Sequence, residues 1–296
     1  MRRAASSAGL VVLLCAPTAH AGDPWADAVR DFEPGLSAGF GADALPGIVL
    51  GAPEGAGDQS GGVDVVSLGH GGTITVVFRD NAVADGPGDD LVVFENAFFA
   101  GGDGGALFDE LAFVDVSADG KRWVPVAHDP VTHDGLAGRA PVYGGSESGI
   151  DPLSPQGGGD RFDLADVGLP FVRFVRLQDA GDVIDDLGNR LRPWANKAGF
   201  DLDAAAALHS VPLSRLRGVV HRDGAPVADV RLKLVPPDGG KRRWRTSRND
   251  GGYRFARLLP LGLYRLRVRE PGGVRTTFDV RIDGDAARVR RDLPLD

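Results

Sequence analysis

Short stretches of alternating hydrophobic and polar residues run through the first two thirds of the chain, separated by glycine-rich or Asp-Gly turns. A period of two in β-branched and aromatic residues predicts strands with one buried face. Because no helical apolar stripe lies between the stretches, the pattern favours an antiparallel jelly-roll β-sandwich over an α/β sheet. The predicted strands are 63–68, 73–78, 91–94, 111–116, 123–126 and 171–177.

The last third of the chain has its own, more regular pattern. Apolar-polar alternation recurs about every ten residues, and Asp-Gly turns follow at 223–224, 238–239 and 250–251. Such spacing is typical of a small β-sandwich. It predicts seven strands, at 216–221, 230–235, 244–247, 253–256, 263–269, 274–282 and 289–293. The sequence therefore predicts an all-β protein with two sandwiches.

The first residues are predicted to direct export. Arg2 and Arg3 precede a short apolar run at 9–14, and Ala19-His20-Ala21 provides a small-x-small cleavage signal. This order predicts a signal peptide over 1–21 and a secreted product, whether extracellular, surface-bound or periplasmic. The alternative is a lipid anchor on Cys15, which Leu14 disfavours because a small residue is expected at that position.

Cleavage after Ala21 would remove Cys15, the single cysteine among the 296 residues. The exported chain would then have no disulfide, no thiolate metal ligand and no cysteine nucleophile. No later stretch approaches the roughly 18 apolar residues that a membrane span needs, so no membrane span is predicted.

Charge divides the chain more sharply than its net charge of −8 suggests. Residues 22–210 hold 11 Lys and Arg against 31 Asp and Glu, whereas residues 211–296 hold 20 against 10. The two regions therefore carry −20 and +10, which predicts an acidic domain at 22–210 and a basic domain at 211–296. The alternative to separate partners is a charge contact between the two domains.

Two segments of the acidic region resemble galactose-binding-like jelly rolls. VDVSADGKRWVPV at 114–126 matches their strand, S-x-DG turn and Trp-bearing strand, and FVRFVRLQD at 171–179 matches a later strand. With GDDLVVFENAFF at 88–99, GLAG at 135–138, RFDLADVG at 161–168 and GFDLDA at 199–204, residues 45–208 are similar to a family of secreted bacterial cell surface proteins. The resemblance implies fold and location, with no agreed catalytic activity, and related jelly rolls often hold a structural Ca²⁺ where first and last strands approach.

The basic region resembles a different family over residues 213–296. The order RGVVHRDGAPVADVRLKL, TSRNDGGYRF and LPLGLYRLRV is similar to the carboxypeptidase regulatory-like domain. That resemblance implies a transthyretin-like β-sandwich of the carbohydrate-binding-like group. One departure is Leu261, which stands where the family's LPPG turn has a second proline.

Oxygen-bearing side chains in the acidic region predict a calcium site. Hard carboxylate and amide ligands suit Ca²⁺, which takes 6–8 oxygens in mixed geometry, and a D-x-D on a strand presents both acids to one face. The alternative is that these acids form a solvated face and cap turns, as we expect for Asp160, Asp163 and Asp166. The predicted ligands are Asp89, Asp90, Glu95, Asn96, Asp201 and Asp203.

No catalytic residues are predicted. Two carboxylates at a suitable separation would be enough for glycoside hydrolysis, so Glu95, Glu110 and Glu147 keep open a polysaccharide-active lyase or hydrolase. With 31 acids in this region, however, such pairs arise by chance. GGSESG at 144–149 lacks the order of a serine nucleophile motif.

A basic run with one aromatic residue predicts a ligand surface in the second region. Lys241, Arg242, Arg243, Trp244 and Arg245 would bind a polyanion, which in an exported protein is an anionic envelope polymer, with no nucleic acid expected. Trp194 in a polar loop is a candidate for stacking on a sugar ring. The alternative for the basic run is an edge hairpin protected by its charges.

Together these patterns predict a secreted, non-enzymatic binding protein. Its predicted fold is a jelly-roll β-sandwich followed by a smaller, seven-stranded transthyretin-like sandwich, and its predicted ligand is carbohydrate or another envelope polymer. A purely structural module of an extracellular matrix is a further alternative.

Overall fold

A computed structural model describes residues 23–101, 105–146, 148–181, 199–237, 242–258, 261–283 and 288–295. Within these residues the regular structure consists of strands and four short 3-10 helices, so the all-β prediction is confirmed. The helices are Ala42–Ala44, Gly47–Val49, Pro155–Gly157 and Leu164–Val167. The predicted signal peptide lies outside the described residues.

Fifteen strands form the first region, and most of them are short. They are β1 (Ala28–Glu33), β2 (Val66–Ser67), β3 (Thr73–Val77), β4 (Asn81–Ala84), β5 (Leu91–Phe94), β6 (Phe98–Ala100), β7 (Ala106–Phe108), β8 (Ala112–Ser117), β9 (Val124–Pro125), β10 (Asp160–Phe162), β11 (Phe171–Val172), β12 (Phe174–Asp179), β13 (Asp201–Leu202), β14 (Ala204–Ala207) and β15 (Ser210–Pro212).

These strands pair antiparallel in two layers. One layer is a five-stranded sheet with the order β1-β3-β12-β8-β9, and the smaller sheets β10-β5-β14, β11-β4-β15 and β13-β2 lie opposite it. The core between the layers takes apolar side chains from both, such as Ile74 and Leu177 from one and Val93 and Leu202 from the other. Strands β6 and β7 form a separate hairpin.

The predicted strands of this region are present, although some are shorter and the predicted strand 171–177 is divided into β11 and β12, which belong to different sheets. Strand β5 has the predicted bounds, and only Val66–Ser67 of the predicted 63–68 pairs with a neighbour. Val63 is 78% exposed, so the start of that apolar run makes no sheet. Eight strands were not predicted, namely β1, β4, β6, β7, β10, β13, β14 and β15. Of these, β1 forms one edge of the large sheet, and β4 and β14 belong to two of the smaller sheets.

The second region forms another two-layer sandwich. Its strands are β16 (Ser214–Arg222), β17 (Ala225–Pro226), β18 (Arg231–Val235), β19 (Arg243–Thr246), β20 (Gly252–Leu258), β21 (Leu261–Arg269), β22 (Arg275–Asp283), β23 (Arg288–Arg290) and β24 (Leu293–Leu295). All seven predicted strands are present. The structure adds the two-residue β17 and divides the predicted strand 289–293 into β23 and β24.

Strand β16 organises one layer, because it pairs with β17 and β20 antiparallel and with β23 and β24 parallel. Gly218 lies in the middle of β16, where the Arg291 carbonyl passes so closely that a Cβ would be 1.8 Å from its oxygen. The other layer is the antiparallel sheet β19-β18-β21-β22. Leu216 and Phe255 pack across the core against Leu232 and Leu266.

The two regions have separate hydrophobic cores in the described part of the chain. Strand β15 pairs with β4, and Leu213 packs with Ala82 and Phe171, so the strands of the first region extend to about residue 213. The division at 210/211 and the independent folding of each part stay predictions.

Candidate functional site

Asp90 is a fully buried structural acid at the start of β5. One of its carboxylate oxygens accepts a hydrogen bond from the Gly86 amide at 2.7 Å, and the other accepts from the Leu164 amide at 2.8 Å. The His209 Nδ1 atom lies 2.6 Å from the first oxygen. Asp90 thereby joins the segments that carry Gly86, Leu164 and His209. Both of its carboxylate oxygens already have partners.

Asp85 and Asp163 lie beside Asp90, with one ligand atom from each of the three acids within 4.8 Å of the others. Asp163 also caps the helix Leu164–Val167 by accepting from the Ala165 amide at 2.8 Å. The sequence predicts turn chemistry for Asp163, and this contact is of that kind. His209 was missed in the sequence because nothing marks its pairing with a residue 119 positions away.

Glu95, Asn96 and Asp201 form a second group, at the other end of β5. The Asn96 side-chain amide donates to an Asp201 carboxylate oxygen at 3.5 Å, and the Ser67 hydroxyl donates to the same carboxylate. Glu95 is only 3% exposed. Burial, reinforced by the negative charge of Asp201, raises the pKa of Glu95 well above the usual range of a glutamate.

Two oxygen atoms of this group have no hydrogen-bond partner among the residues that the structure describes. They are the Glu95 Oε2 and Asp201 Oδ1 atoms, which are both inaccessible to solvent. The Asn96 side-chain oxygen accepts from the Gly62 amide, which holds the loop at 61–62 against the group. A buried oxygen without a partner is unfavourable, and a cation or a proton would relieve it.

The remaining predicted ligands lie apart from this group. Asp89 is exposed, and Asp203 accepts from the Gly55 amide at 3.3 Å. Burial, reinforced by the charges of Asp64 and Glu54, raises the pKa of Asp203 to about 7. Asp203 thus has different partners from Asp201, although both belong to the D-x-D motif.

The six predicted ligands therefore do not form one set. Asp90 and Glu95 flank opposite ends of the four-residue β5, and an extended strand rises about 3.3 Å per residue. Because the chain between Asp90 and Glu95 is an extended strand, it cannot turn back to bring both side chains to one ion. Only Glu95, Asn96 and Asp201 are brought together.

Asp160 is a buried acid that holds the loop at 138–139 through hydrogen bonds. One of its oxygens accepts from the Gly138 and Arg139 amides at 2.7 and 2.9 Å. Burial raises the pKa of Asp160 to about 6, although these hydrogen bonds act in the opposite direction. Glu110 is 8% exposed and Glu95 3%, so a polymer cannot reach either carboxylate in this conformation. Glu147 lies outside the described residues.

The predicted basic run is divided between two sides of β19. The Arg243 guanidinium donates to the Ala256 carbonyl, and that of Arg245 donates to the Arg254 carbonyl at 3.1 Å. Trp244 points to the other side and is 58% exposed. Successive residues of a strand face opposite sides, so Arg243 and Arg245 lie on the other side of β19 from Trp244. Arg242 is exposed, whereas Lys241 and Trp194 lie outside the described residues.

Trp244 belongs instead to a cationic surface that was not predicted from the sequence. Lys233 is its cross-strand neighbour on β18, with the Nζ atom 4.8 Å from the indole centroid. We define the cationic face as Trp244 and the six cations on the same side of the sheet β19-β18-β21-β22. These cations are Arg231, Lys233, Arg265, Arg267, Arg269 and Arg275.

The cationic face lines a groove of about 550 Å³. Thr276 and Thr277 also line the groove, and none of the described residues that line it is acidic. Burial and the charges of Arg242 and Arg267 lower the pKa of Lys233. In the described part of the chain, none of the six cations forms an ion pair with an acid.

A signal for this face exists in the sequence. In the predicted strand 263–269, arginine recurs at every second position, as Arg265, Arg267 and Arg269. Period-two alternation places these three cations on one face, opposite the buried Tyr264, Leu266 and Val268. The contiguous cluster at 241–245 was the more conspicuous pattern.

The described residues contain no helix that is long and apolar enough to cross a membrane.

Comparison with curated proteins finds no match to this chain. Among solved structures, it is similar to the major pilin subunit BcpA of Bacillus cereus (12% identity, 76% of this chain, 63% of that chain, TM-score 0.25). It is also similar to the pilus 2b backbone protein of group B streptococcus (10% identity, 81% of this chain, 96% of that chain, TM-score 0.27). A third similar structure is the T6 backbone pilin of Streptococcus pyogenes (11% identity, 79% of this chain, 52% of that chain, TM-score 0.25).

The chain spans 63% of the length of the first of these structures, and at such TM-scores none of them supports a conclusion about function. The match to a protein family is more specific, and it agrees with the resemblance seen in the sequence. Residues 215–295 match the carboxypeptidase regulatory-like domain.

Proposed function

We propose that this chain is an exported, non-catalytic surface protein that binds an acidic polysaccharide on the cationic face of its second sandwich. The observation that carries the proposal is the groove in which six cations surround an exposed tryptophan, with no acid among the described residues of the lining. The predicted signal peptide supports export. The galactose-binding-like resemblance of the first region supports a surface location.

The placement of the charges favours a ligand over protection of a sheet edge. Edge protection requires charges on the outer strands β19 and β22. Five of the six cations instead lie on the central strands β18 and β21. Lys233 faces Arg267 across the strands, and Arg269 faces both Arg231 and Arg275. Like charges directly opposite each other are unfavourable for folding, so a bound polyanion would relieve their repulsion.

The chemistry of the face favours an anionic sugar chain. Trp244 offers a flat apolar ring for stacking on a pyranose, and guanidinium groups bind carboxylate or sulfate oxygens in a bidentate manner. Arginines at alternate positions of β21 form a row along the strand, which suits an extended polymer.

The acidic first region is the competing partner for the same face. Its charge of −20 is opposite in sign to that of the second region, so a charge contact within one chain or between two copies would occupy the groove. Such a contact would make the protein a structural matrix module rather than a polysaccharide-binding protein.

The test is binding of residues 22–296 to polygalacturonate, with neutral dextran and single-stranded DNA as comparison ligands. We expect binding to polygalacturonate that weakens steeply with salt, because charges more than about 10 Å apart are screened at 0.1 M ionic strength. The triple variant Lys233→Gln, Arg267→Gln and Arg269→Gln should lose most of the affinity, and Trp244→Ala should weaken it further.

The matched control is Arg215→Gln, Arg217→Gln and Arg254→Gln, which removes three exposed cations from the outer side of the other sheet. Equal losses in the two triple variants would show diffuse attraction and contradict the groove. Preference for DNA, or self-association at low salt in place of polymer binding, would also contradict it. Release of unsaturated or reducing products that Glu95→Gln abolishes would favour the lyase or hydrolase alternative.

A further inference from the structure

Strand β22 (Arg275–Asp283) forms an open edge of the second sandwich. It is nine residues long and ends the sheet β19-β18-β21-β22, and in the described part of the chain it pairs with β21 alone. Hydrogen-bonded and non-hydrogen-bonded pairs alternate along an antiparallel ladder, so every second residue of β22 directs its main-chain amide and carbonyl away from β21. An open edge of this length is a template on which another strand can add.

The opposite edge of the same sheet is different. Strand β19 has only four residues. Its Arg243 and Arg245 guanidinium groups donate to main-chain carbonyls of β20, at Ala256 and Arg254, and so connect the two layers on that side. Among the residues that the structure describes, no side chain makes such a hydrogen bond to the main chain of β22. The edge of β22 is therefore the one that a partner strand can reach.

The outer side of β22 carries charges of both signs. Asp279 and Arg281 are exposed, whereas Val280 between them is 3% exposed and packs in the core. Arg265 is the cross-strand neighbour of Asp279, yet within the described ranges neither Asp279 nor Arg281 forms an ion pair. Charges of a single sign along an edge repel a copy of that edge. The mixed charges of β22 attract one in a suitable register.

We propose that two copies of this chain associate by antiparallel pairing of their β22 strands, centred on Val280. In this register Val280 faces Val280 of the second copy. Asp279 of each copy faces Arg281 of the other, so two pairs of opposite charge form. On the core-facing side Phe278 lies opposite Ile282. Such an interface is self-complementary, because a two-fold axis repeats every contact.

The charges favour this register over its neighbours. A shift by two residues in one direction places Asp279 opposite Asp279, and a shift by two in the other direction places Arg281 opposite Arg281. Like charges directly opposite each other on neighbouring strands are unfavourable. A shift by one residue would place the apolar side chains of one copy on the charged side of the other. The register centred on Val280 avoids all three conflicts.

The pairing would join two four-stranded sheets into one sheet of eight strands. Opposite residues of an antiparallel pair point to the same side, so the cationic faces of both copies would lie on one side of the joined sheet. Trp244, Lys233 and Arg267 belong to strands away from the junction and would stay accessible. Association through β22 is therefore compatible with polymer binding and does not depend on it.

The first experiment measures the sedimentation of residues 22–296 over a range of protein concentrations. We expect a monomer–dimer equilibrium. Asp279→Arg and Arg281→Asp each place like charges opposite each other twice, so each should raise the dimer Kd about tenfold or more. The double variant exchanges the two charges and should restore dimerisation. The matched control is Arg217→Asp, which makes the same change of charge on an exposed position of the other sheet and should leave the dimer Kd unchanged.

The second experiment tests the register with thiols. Cys15 is the single cysteine of the chain, so residues 22–296 contain none. An equimolar mixture of Asp279→Cys and Arg281→Cys should form a disulfide-linked dimer on mild oxidation, because the two thiols face each other. Each variant alone should form little, since its two thiols would be offset by two residues, roughly 7 Å along the strands.

A chain that stays monomeric at every concentration would overturn the proposal. Dimers that both single charge reversals leave unchanged would also overturn it, as would a double variant that has the native circular dichroism spectrum but remains dissociated. Should a charge variant fail to fold, the thiol mixture decides, and no excess of disulfide-linked dimer over the separate variants contradicts the register. Arg281→Asp should still bind polygalacturonate, so failure of the dimer is distinguishable from failure of polymer binding.

Discussion

The two sandwiches use their charged residues in opposite ways. The first region buries carboxylates, and Asp90, Asp160 and Asp179 accept hydrogen bonds from main-chain amides of loops that would otherwise be unsatisfied. The second region keeps its cations on the outer faces of its sheets, where Lys233 and Arg267 lie opposite each other. Charged side chains therefore hold loops together inside the first region, whereas in the second region they form an exposed surface.

This difference separates stability from binding. Removing a buried acid that holds its partners as Asp90 does should destabilise the first region, whereas removing a cation from the second should leave a fold that is at least as stable. Four predictions test the contrast, beginning with the largest effect.

Replacing Asp90 with alanine should destabilise the protein by about 3–5 kcal/mol, because the amides of Gly86 and Leu164 and the ring of His209 all lose their buried partner. Urea unfolding measures this loss. The loss should be the same with and without calcium, since Asp90 is separate from the Glu95 group. Asp89→Ala is the exposed control, and an equal loss there would contradict an internal role of Asp90.

Asp160→Asn should change how stability depends on pH. Burial raises the pKa of Asp160 to about 6, so the folded state holds a proton that the unfolded state loses near pH 4. The wild type then loses stability as pH rises from 4 towards 7, by about 3 kcal/mol from this group. Asn keeps an oxygen acceptor without the charge, so the variant should gain that amount relative to the wild type between pH 4 and 7.

Urea unfolding of Asp160→Asn and the wild type at each pH measures this difference. Asp166→Asn, which alters an exposed acid nearby, shows whether the loss of one negative charge alone has the same effect. If the difference in unfolding free energy between Asp160→Asn and the wild type stays constant across the pH range, the prediction is wrong.

The triple variant Lys233→Gln, Arg267→Gln and Arg269→Gln should be more stable than the wild type by about 1 kcal/mol. It removes like-charge neighbours on β18, β21 and β22, and each such pair is worth roughly 0.2–1 kcal/mol. Its gain in unfolding free energy should shrink in high salt, which screens the repulsion. A loss of stability would mean that these cations stabilise the sheet, and it would contradict the difference proposed between the two regions.

Asp115→Asn should have the smallest effect. Asp115 pairs with Arg176 across β8 and β12 at 2.6 Å, but both side chains remain partly exposed. Exposed ion pairs contribute roughly 0–1 kcal/mol, so about 0.5 kcal/mol is expected in urea unfolding. A loss comparable to that of Asp90→Ala would show that surface charges of the first region also hold it together.

The sequence predicted the second sandwich more completely than the first, for a physical reason. Strands β18 and β21 alternate in their apolar and charged residues because each has one face in the core and one in water. Strand β14 is four alanines, all of them buried, so neither alternation nor β-propensity marks it. Its conformation depends on pairing with β5, a contact about 110 residues away in sequence.

The candidate site residues show the same limit. Residue type identified Glu95, Asn96 and Asp201 as potential ligands, but only the fold shows that Glu95 is buried and that Asp90 is occupied by its own partners. Composition drew attention to the basic run at 241–245, whereas strand alternation decides that Trp244 faces Lys233 and that Arg243 does not.

The pairing of β16 with β24 also has a kinetic consequence. Val220 pairs with Leu293, so the first strand of the second sandwich acquires a neighbour that is synthesised 73 residues later. Contacts of such long sequence separation form slowly, and until they form one side of β16 is an unpaired template for other chains. Arg215 and Arg217 alternate with the apolar residues of this strand. We expect them to act as gatekeepers that discourage aggregation while a nascent or translocating chain awaits its last strand.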